Sequence, residues 1–266
     1  MRFEKLLTVN LLEIVYGPVS SWRLGRSLGV DPLCKDEKVC SFDCVYCSLG
    51  PTAEKTVERR IFVSAEQVAQ ALEKAMKKVK ADIVTFSGVG EPTLAENLGE
   101  LIGIAKNISG LPVAVLTNSS LENRRDVRKD LGKADVVKGK LDAPNRGLLE
   151  QINRPHKEIL FENIVEGLKK FRREFRGKFA LEVMFVPQNM DFSKEIAKIV
   201  REINPDEVQI NTPLRPSGVR PLTRKELSGI LQSFKGLNVR YVYEAEKPKI
   251  FKVVGKKKIT RLKRAD

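Results

Sequence analysis

The sequence predicts an α/β protein with a mostly parallel sheet. Short β-rich apolar runs alternate with amphipathic segments from about residue 60 onward, helix-start signals precede several of those segments, and conspicuous polar residues fall where the strands should end. Strands separated by helices need right-handed crossovers and therefore run parallel.

The first strand is expected near residues 24–30. Ser64-Ala65-Glu66-Gln67 then has the form of a capping box, and Val68, Leu72, Ala75, Met76 and Val79 recur on one helical face behind it. A strand at 83–87 is followed by a helix over 94–108, a strand at 113–116, a short helix near 123–130 and a strand at 135–141. The remaining pattern predicts a helix over 159–175, a strand at 179–186, a helix over 192–203, a strand at 207–210 and a helix capped by Thr223 and Glu226. These make six βα repeats, two short of a closed eightfold barrel.

With 266 residues the chain is long enough for one large α/β domain. The expected division is an N-terminal extension over 1–23, a core domain over 24–235 and a basic C-terminal extension over 236–266. No apolar run reaches the length of a membrane span, and the start of the chain lacks the apolar region of a secretory signal, so a cytoplasmic protein is expected. Heavy use of Lys, Arg, Glu and Val leans toward a hot environment. Of the formal net charge of +14, the stretch from Lys247 to Asp266 carries +8. Such a tail can steer a polyanion, or can serve only as a solvated terminus.

Three of the four cysteines lie within eight residues, Cys40-Ser-Phe-Asp-Cys44-Val-Tyr-Cys47. A cubane of four irons needs four ligands, so three thiolates at C-x3-C-x2-C spacing would hold three irons and leave the fourth open to a substrate or cofactor. Cys34 leaves a second possibility, a closed four-thiolate site for zinc or for an electron-transfer cluster. A disulfide framework fits poorly in a chain of this size without a signal peptide.

The cysteine spacing, with an aromatic at Tyr46 before its last member, resembles the radical S-adenosylmethionine (radical SAM) superfamily. That resemblance implies a 4Fe–4S cluster on Cys40, Cys44 and Cys47, with the methionine amino and carboxylate groups of S-adenosylmethionine on the fourth iron. It also implies a partial (β/α)6 TIM-like barrel and reductive cleavage of the cofactor to a 5′-deoxyadenosyl radical that abstracts hydrogen. Strand ends are where such folds place their sites. Gly88-Val89-Gly90-Glu91-Pro92 stands at one of them and is similar to the family's glycine-glycine-glutamate-proline motif, implying cofactor binding by Gly88, Gly90 and Glu91. Asn118, Lys140 and Asp142 stand at the next two, where the family contacts the ribose hydroxyls and carboxylate. Asn211 stands at the last, in reach of the adenine or the substrate.

His156, the only histidine, explains itself as a polar lead-in to a helix, and no residue is singled out as catalytic. The stretch from Tyr16 to Val30, with Trp22 beside Arg23, resembles a branch distantly related to the wybutosine-type transfer RNA (tRNA) modifying enzymes. The three extra cysteines that the wybutosine-forming group uses for a second cluster are missing here. RNA, tRNA in particular, is the expected substrate, motivated by the basic tail and by Lys169, Lys170, Arg172, Arg173 and Arg176. An activase that abstracts hydrogen from a protein or peptide is the alternative. Either would draw electrons from a donor such as ferredoxin or flavodoxin, and no membrane partner is expected.

Overall fold

The computed structural model describes residues 14–244, 249–250 and 252–255. Residues 1–13 and the basic tail from Lys256 onward lie outside the described residues, so the polyanion-steering expectation falls there. Ten strands occur in the described chain: β1 (Val15–Ser21), β2 (Gly25–Val30), β3 (Val39–Cys40), β4 (Glu54–Lys55), β5 (Ile83–Phe86), β6 (Val113–Leu116), β7 (Val136–Lys140), β8 (Lys178–Met184), β9 (Glu207–Asn211) and β10 (Val239–Tyr241). Seven α-helices accompany them: α1 (Ala65–Met76), α2 (Leu98–Ser109), α3 (Arg125–Leu131), α4 (Arg146–Ile152), α5 (Phe161–Glu174), α6 (Ser193–Ile203) and α7 (Arg224–Leu231).

Eight strands form one sheet in the order β1-β2-β5-β6-β7-β8-β9-β10, and only the β1–β2 pair is antiparallel. The six expected parallel strands are all present, curled into a partial TIM-like barrel. β1 and β10 join its margins from the segments expected as extensions. No ladder connects these margins among the described residues; instead the Arg240 guanidinium donates to the Trp22 carbonyl at 2.6 Å and lies 5.8 Å from the Trp22 ring. Trp22, unassigned in the sequence, is thus a buried part of the packed edge.

Alternation along the strands separates two faces. Phe171 of α5 meets Phe179 edge to face at 5.4 Å, so Phe179, Leu181 and Val183 face the helices, and all are buried. Burying each such side chain stabilises the fold by about 1.5–3 kcal/mol. Ala180, Glu182 and Met184 point the other way, in register with Lys138 and Lys140 of β7 and with Glu207, Gln209 and Asn211 of β9. The convex layer is therefore apolar and the concave one polar and charged.

Helix starts follow the sequence signals. Ser64 Oγ accepts from the Gln67 N–H and the Gln67 side chain accepts from Ser64 N–H, while Thr223 and Glu226 make the same box before α7. Among the helical segments, two near the site differ from expectation. Residues Pro92–Leu94 form a 3₁₀ turn capped by the Glu91 side chain, which delays α2 to Leu98. α4 was not expected: seven residues show too little periodicity, although Asn145 caps it by accepting from Leu148 N–H.

Candidate active site

The cysteine loop is stitched to the neighbouring strand end by main chain. Val39 N–H donates to Val89 O at 3.0 Å and Glu91 N–H donates to Val39 O at 3.1 Å, with β4 on the loop's other side. At Gly90, φ is +156° and an added Cβ would stand 1.5 Å from Val39 O. Only glycine lets the two backbones meet there. At Gly88 an added Cβ would stand 1.9 Å from Asp31 Oδ1, and that carboxylate accepts from Leu33 N–H and Val89 N–H at 3.1 Å each. The two glycines read as room for a ligand thus also make room for Val39 and Asp31.

That junction sets Glu91 beside Cys40. Glu91 is buried; its Oε1 accepts from Thr93 N–H (3.1 Å), Thr93 Oγ1 (2.8 Å) and Thr117 Oγ1 (2.7 Å), and its Oε2 from Asn118 N–H (2.7 Å). A carboxylate offers about four acceptor sites. Oε1 is fully engaged, whereas Oε2 has capacity for one more donor. Burial pushes the Glu91 pKa up, against the pull of the Asn118 N–H and the two threonines.

Two thiols of the loop face separate donors. Cys40 Sγ accepts from Phe42 N–H at 3.5 Å and lies 3.6 Å from Asn118 Nδ2, and Cys44 Sγ accepts from Asn153 Nδ2 at 3.4 Å. Burial raises both pKa values, that of Cys44 to about 11, so an apoprotein keeps them as thiols and a bound metal's charge is what favours the thiolates. Among the described residues no three Cys, His, Asp or Glu side chains converge on one metal ion. A cubane places each thiolate on a different iron, so its ligands need not converge on one point. Cys34 is partly buried and packs against the core, with φ +42°.

The remaining expected residues gather around two carboxylates. Asp142 is buried, its Oδ2 accepting from Asn153 Nδ2 (2.8 Å) and the Tyr46 hydroxyl and its Oδ1 from Met184 N–H (2.8 Å). Through these donors Asp142 ties the cysteine loop to β8. Lys140 lies 3.9 Å from Asp142, 3.7 Å from Glu182 and 4.7 Å above the Tyr46 ring. Asn211 Nδ2 donates to Glu182 Oε1 at 2.9 Å, and Arg23 and Lys138 both donate to Glu182 Oε2. Although burial opposes ionisation of Glu182, the charges of Arg23, Lys138 and Lys140 outweigh it and hold the carboxyl well below the usual range. Burial, with Arg23 and Lys140, pushes Lys138 down to about 7. Asn118 Nδ2 donates to Ser41 Oγ at 2.8 Å, so it joins the site from the cluster side.

Glu182, Asn153, Arg23 and Lys138 were missed in the sequence. A charged residue inside the apolar run of β8 was the available signal for Glu182. The basic residues of α5 sit elsewhere: Lys169 pairs with Glu202, Lys170 with Glu166, and Arg172 with Asp206 at the entrance to β9. That is the end of the sheet opposite Glu91. His156 meets the loop through its main chain, donating N–H to Ser41 O at 2.8 Å.

Residues 38–203 match the model of the Radical SAM superfamily. The chain is 37% identical to a UPF0026 protein of Methanocaldococcus jannaschii over 84% of this chain and 71% of that one, and 41% identical to a UPF0026 protein of Synechocystis over 81% and 79%. Among solved structures it is similar to Streptococcus suis SuiB bound to S-adenosylmethionine, with TM-score 0.61 and 14% identity over 82% of this chain and 50% of that one. It is also similar to archaeal TYW1, with TM-score 0.57 and 15% identity over 86% and 78%. No described helix is long and apolar enough to cross a membrane. The chain belongs to the Radical SAM superfamily and, within it, to the UPF0026 proteins, as an iron–sulfur enzyme whose cofactors are S-adenosylmethionine and a 4Fe–4S cluster.

Proposed function

We propose that Cys40, Cys44 and Cys47 hold three irons of the cluster, that Glu91 anchors the cofactor's ammonium, and that the enzyme modifies RNA, with tRNA as the first candidate. When bound, the two cofactors supply one-electron cleavage of a carbon–sulfur bond and, from it, a hydrogen-abstracting group. The main-chain junction of Val39 with Gly90 carries this reading, because it brings the iron-binding loop and the one unfilled acceptor of Glu91 side by side. Lys140 supplies a cation for the methionine carboxylate, while Asn118 and Asn211 supply amides for the ribose and the adenine or substrate. Asp142 acts by orientation, fixing Tyr46 and Asn153 against the loop. Gly88 and Gly90 contribute backbone shape.

RNA as substrate is supported by the +14 net charge and its concentration in the tail. The core over 24–235 would then hold the chemistry and the C-terminal extension would collect the substrate, with ferredoxin or flavodoxin as the reductant. Anaerobic reconstitution followed by a 5′-deoxyadenosine assay with and without bulk RNA tests the chemistry. Deleting the chain after Pro248 tests the substrate class: phosphate contacts weaken binding with a slope of about −0.7 per contact on single strands, so the deletion must flatten the salt dependence. An unchanged slope would remove the tail from the reading. The alternative, abstraction from a protein or peptide, draws support from the placement of the α5 cations away from the site and in ion pairs.

A further inference from the structure

Arg59 lies between the cysteine loop and α1, with its side chain only 5% exposed. Its guanidinium grips the turn that starts at Glu91: Nε donates to Thr93 O at 2.9 Å and Nη2 to Ala95 O at 3.0 Å. Between those two carbonyls, Leu94 O accepts from Arg60 N–H at 3.0 Å, so three successive carbonyls of the turn are held by one short segment. The far edge of the fork rests on α3, with Nη1 on Asp126 at 2.8 Å and Nη2 on Asp130. Asp130 is itself fixed, because its Oδ1 fills the space that a Cβ at Gly99 of α2 would take. Thr93 is completely buried, and its other two polar groups, N–H and Oγ1, both donate to Glu91 Oε1, at 3.1 and 2.8 Å. A continuous chain of contacts therefore runs from α3 through Arg59 and Thr93 to the carboxylate beside Cys40.

We propose that Arg59 is a positioning residue for cofactor binding, which holds the Thr93 carbonyl so that Thr93 keeps Glu91 Oε1 occupied and leaves Oε2 as the open acceptor. This rests on the reading that Glu91 anchors the cofactor's ammonium. Within the 3₁₀ turn, Glu91 O and Pro92 O accept from Leu94 N–H and Ala95 N–H, which leaves the Thr93 carbonyl to an outside donor. A planar fork with fixed donor directions meets that carbonyl and the Ala95 carbonyl at once. If Thr93 moved, its N–H and hydroxyl would leave Oε1 together, and the carboxylate would turn about its last bond with only Thr117 and Asn118 to hold it. Asp126 and Asp130 match the charge of Arg59, so its contribution lies in direction rather than in charge. A lysine ammonium is a point charge that can sit between the two acids but cannot span Thr93 O and Ala95 O as well.

The test is equilibrium dialysis of S-adenosylmethionine against anaerobically reconstituted full-length protein with its cluster oxidised, scored per cluster bound. Arg59→Met should weaken binding by at least about tenfold while iron per chain stays at the wild-type level. Arg59→Lys keeps a cation between Asp126 and Asp130, should show the same loss, and serves if the Met variant misfolds. In a Glu91→Gln background, where the anchor is already gone, Arg59→Lys should change the affinity by less than about threefold, whereas a residue that only stabilises the fold would cost as much in either background. Wild-type affinity in the Lys variant overturns the proposal. So does an undiminished loss in the Glu91→Gln background, or a loss of iron in both single variants, either of which marks a general support. Wild-type affinity in Glu91→Gln alone would instead overturn the assignment of Glu91.

Discussion

Replacing Gly90 by alanine is the sharpest local perturbation the site allows. The new Cβ would fall 1.5 Å from Val39 O at φ +156°, so the loops must part by about 2 Å before ordinary contact is restored. Parting removes the hydrogen bonds from Val39 N–H to Val89 O and from Glu91 N–H to Val39 O, at about 1 kcal/mol each. Holding a non-glycine residue at that φ adds about 1–3 kcal/mol. The total, about 3–5 kcal/mol, is concentrated where the cysteine loop meets Glu91, and the core packing of α1 and α2 is untouched. Three measurements separate the consequences: urea unfolding of the apoprotein, iron bound per chain after anaerobic reconstitution, and S-adenosylmethionine affinity of the reconstituted protein. The expected outcome is a lowered midpoint together with iron loss or weakened S-adenosylmethionine binding. A variant with an unchanged midpoint, full iron and native cofactor affinity would refute the claim that this junction builds the site.

Three further outcomes follow from the same geometry. Glu122 is fully buried with no hydrogen-bond partner on either oxygen, Ser119 being near enough to favour its charge but not to satisfy it, and burial raises its pKa to about 8. The folded state thus keeps a proton that the unfolded state loses, so stability falls as pH rises from about 4.5 to 8 by roughly 1.4 kcal/mol per unit; Glu122→Gln should remove that slope from urea midpoints, and a parallel slope in the variant would refute it. Glu182→Leu leaves Arg23, Lys138 and Lys140 without their shared carboxylate and should cost about 3–5 kcal/mol at pH 7, measured by urea unfolding, with a loss under 1 kcal/mol counting against the buried network. Cys34→Ala should leave iron and sulfide per chain unchanged, whereas loss of the centre would restore four-thiolate closure.

The six central strands were legible because each is a short apolar run flanked by helical periodicity, and the two capping boxes announced α1 and α7 from four residues apiece. β1 and β10 were not, since a seven-residue stretch containing Gly17 and Pro18 and the three residues Val239–Tyr241 carry little pattern and gain their strand character from the sheet they join. The cysteine loop and Glu91 could be brought together from the resemblance of their motifs to the family's, but the reason for Gly90 could not: its partner is the carbonyl of Val39, fifty-one positions earlier. Asn153 was invisible for a similar reason. A single asparagine has no periodic signal, and only folding shows that its nitrogen ends beside a sulfur.

The sheet's outer margins, β1 and β10, are tied through the Arg240 side chain to Trp22 instead of through a continuous ladder. Breaking that hydrogen bond and ring contact costs about 1–3 kcal/mol, far less than unzipping a strand. Where the hoop ends meet, side chains do the joining, with one pair of main-chain bonds between Gly17 and Val254 beside them, whereas between every two staves the rungs are main chain throughout.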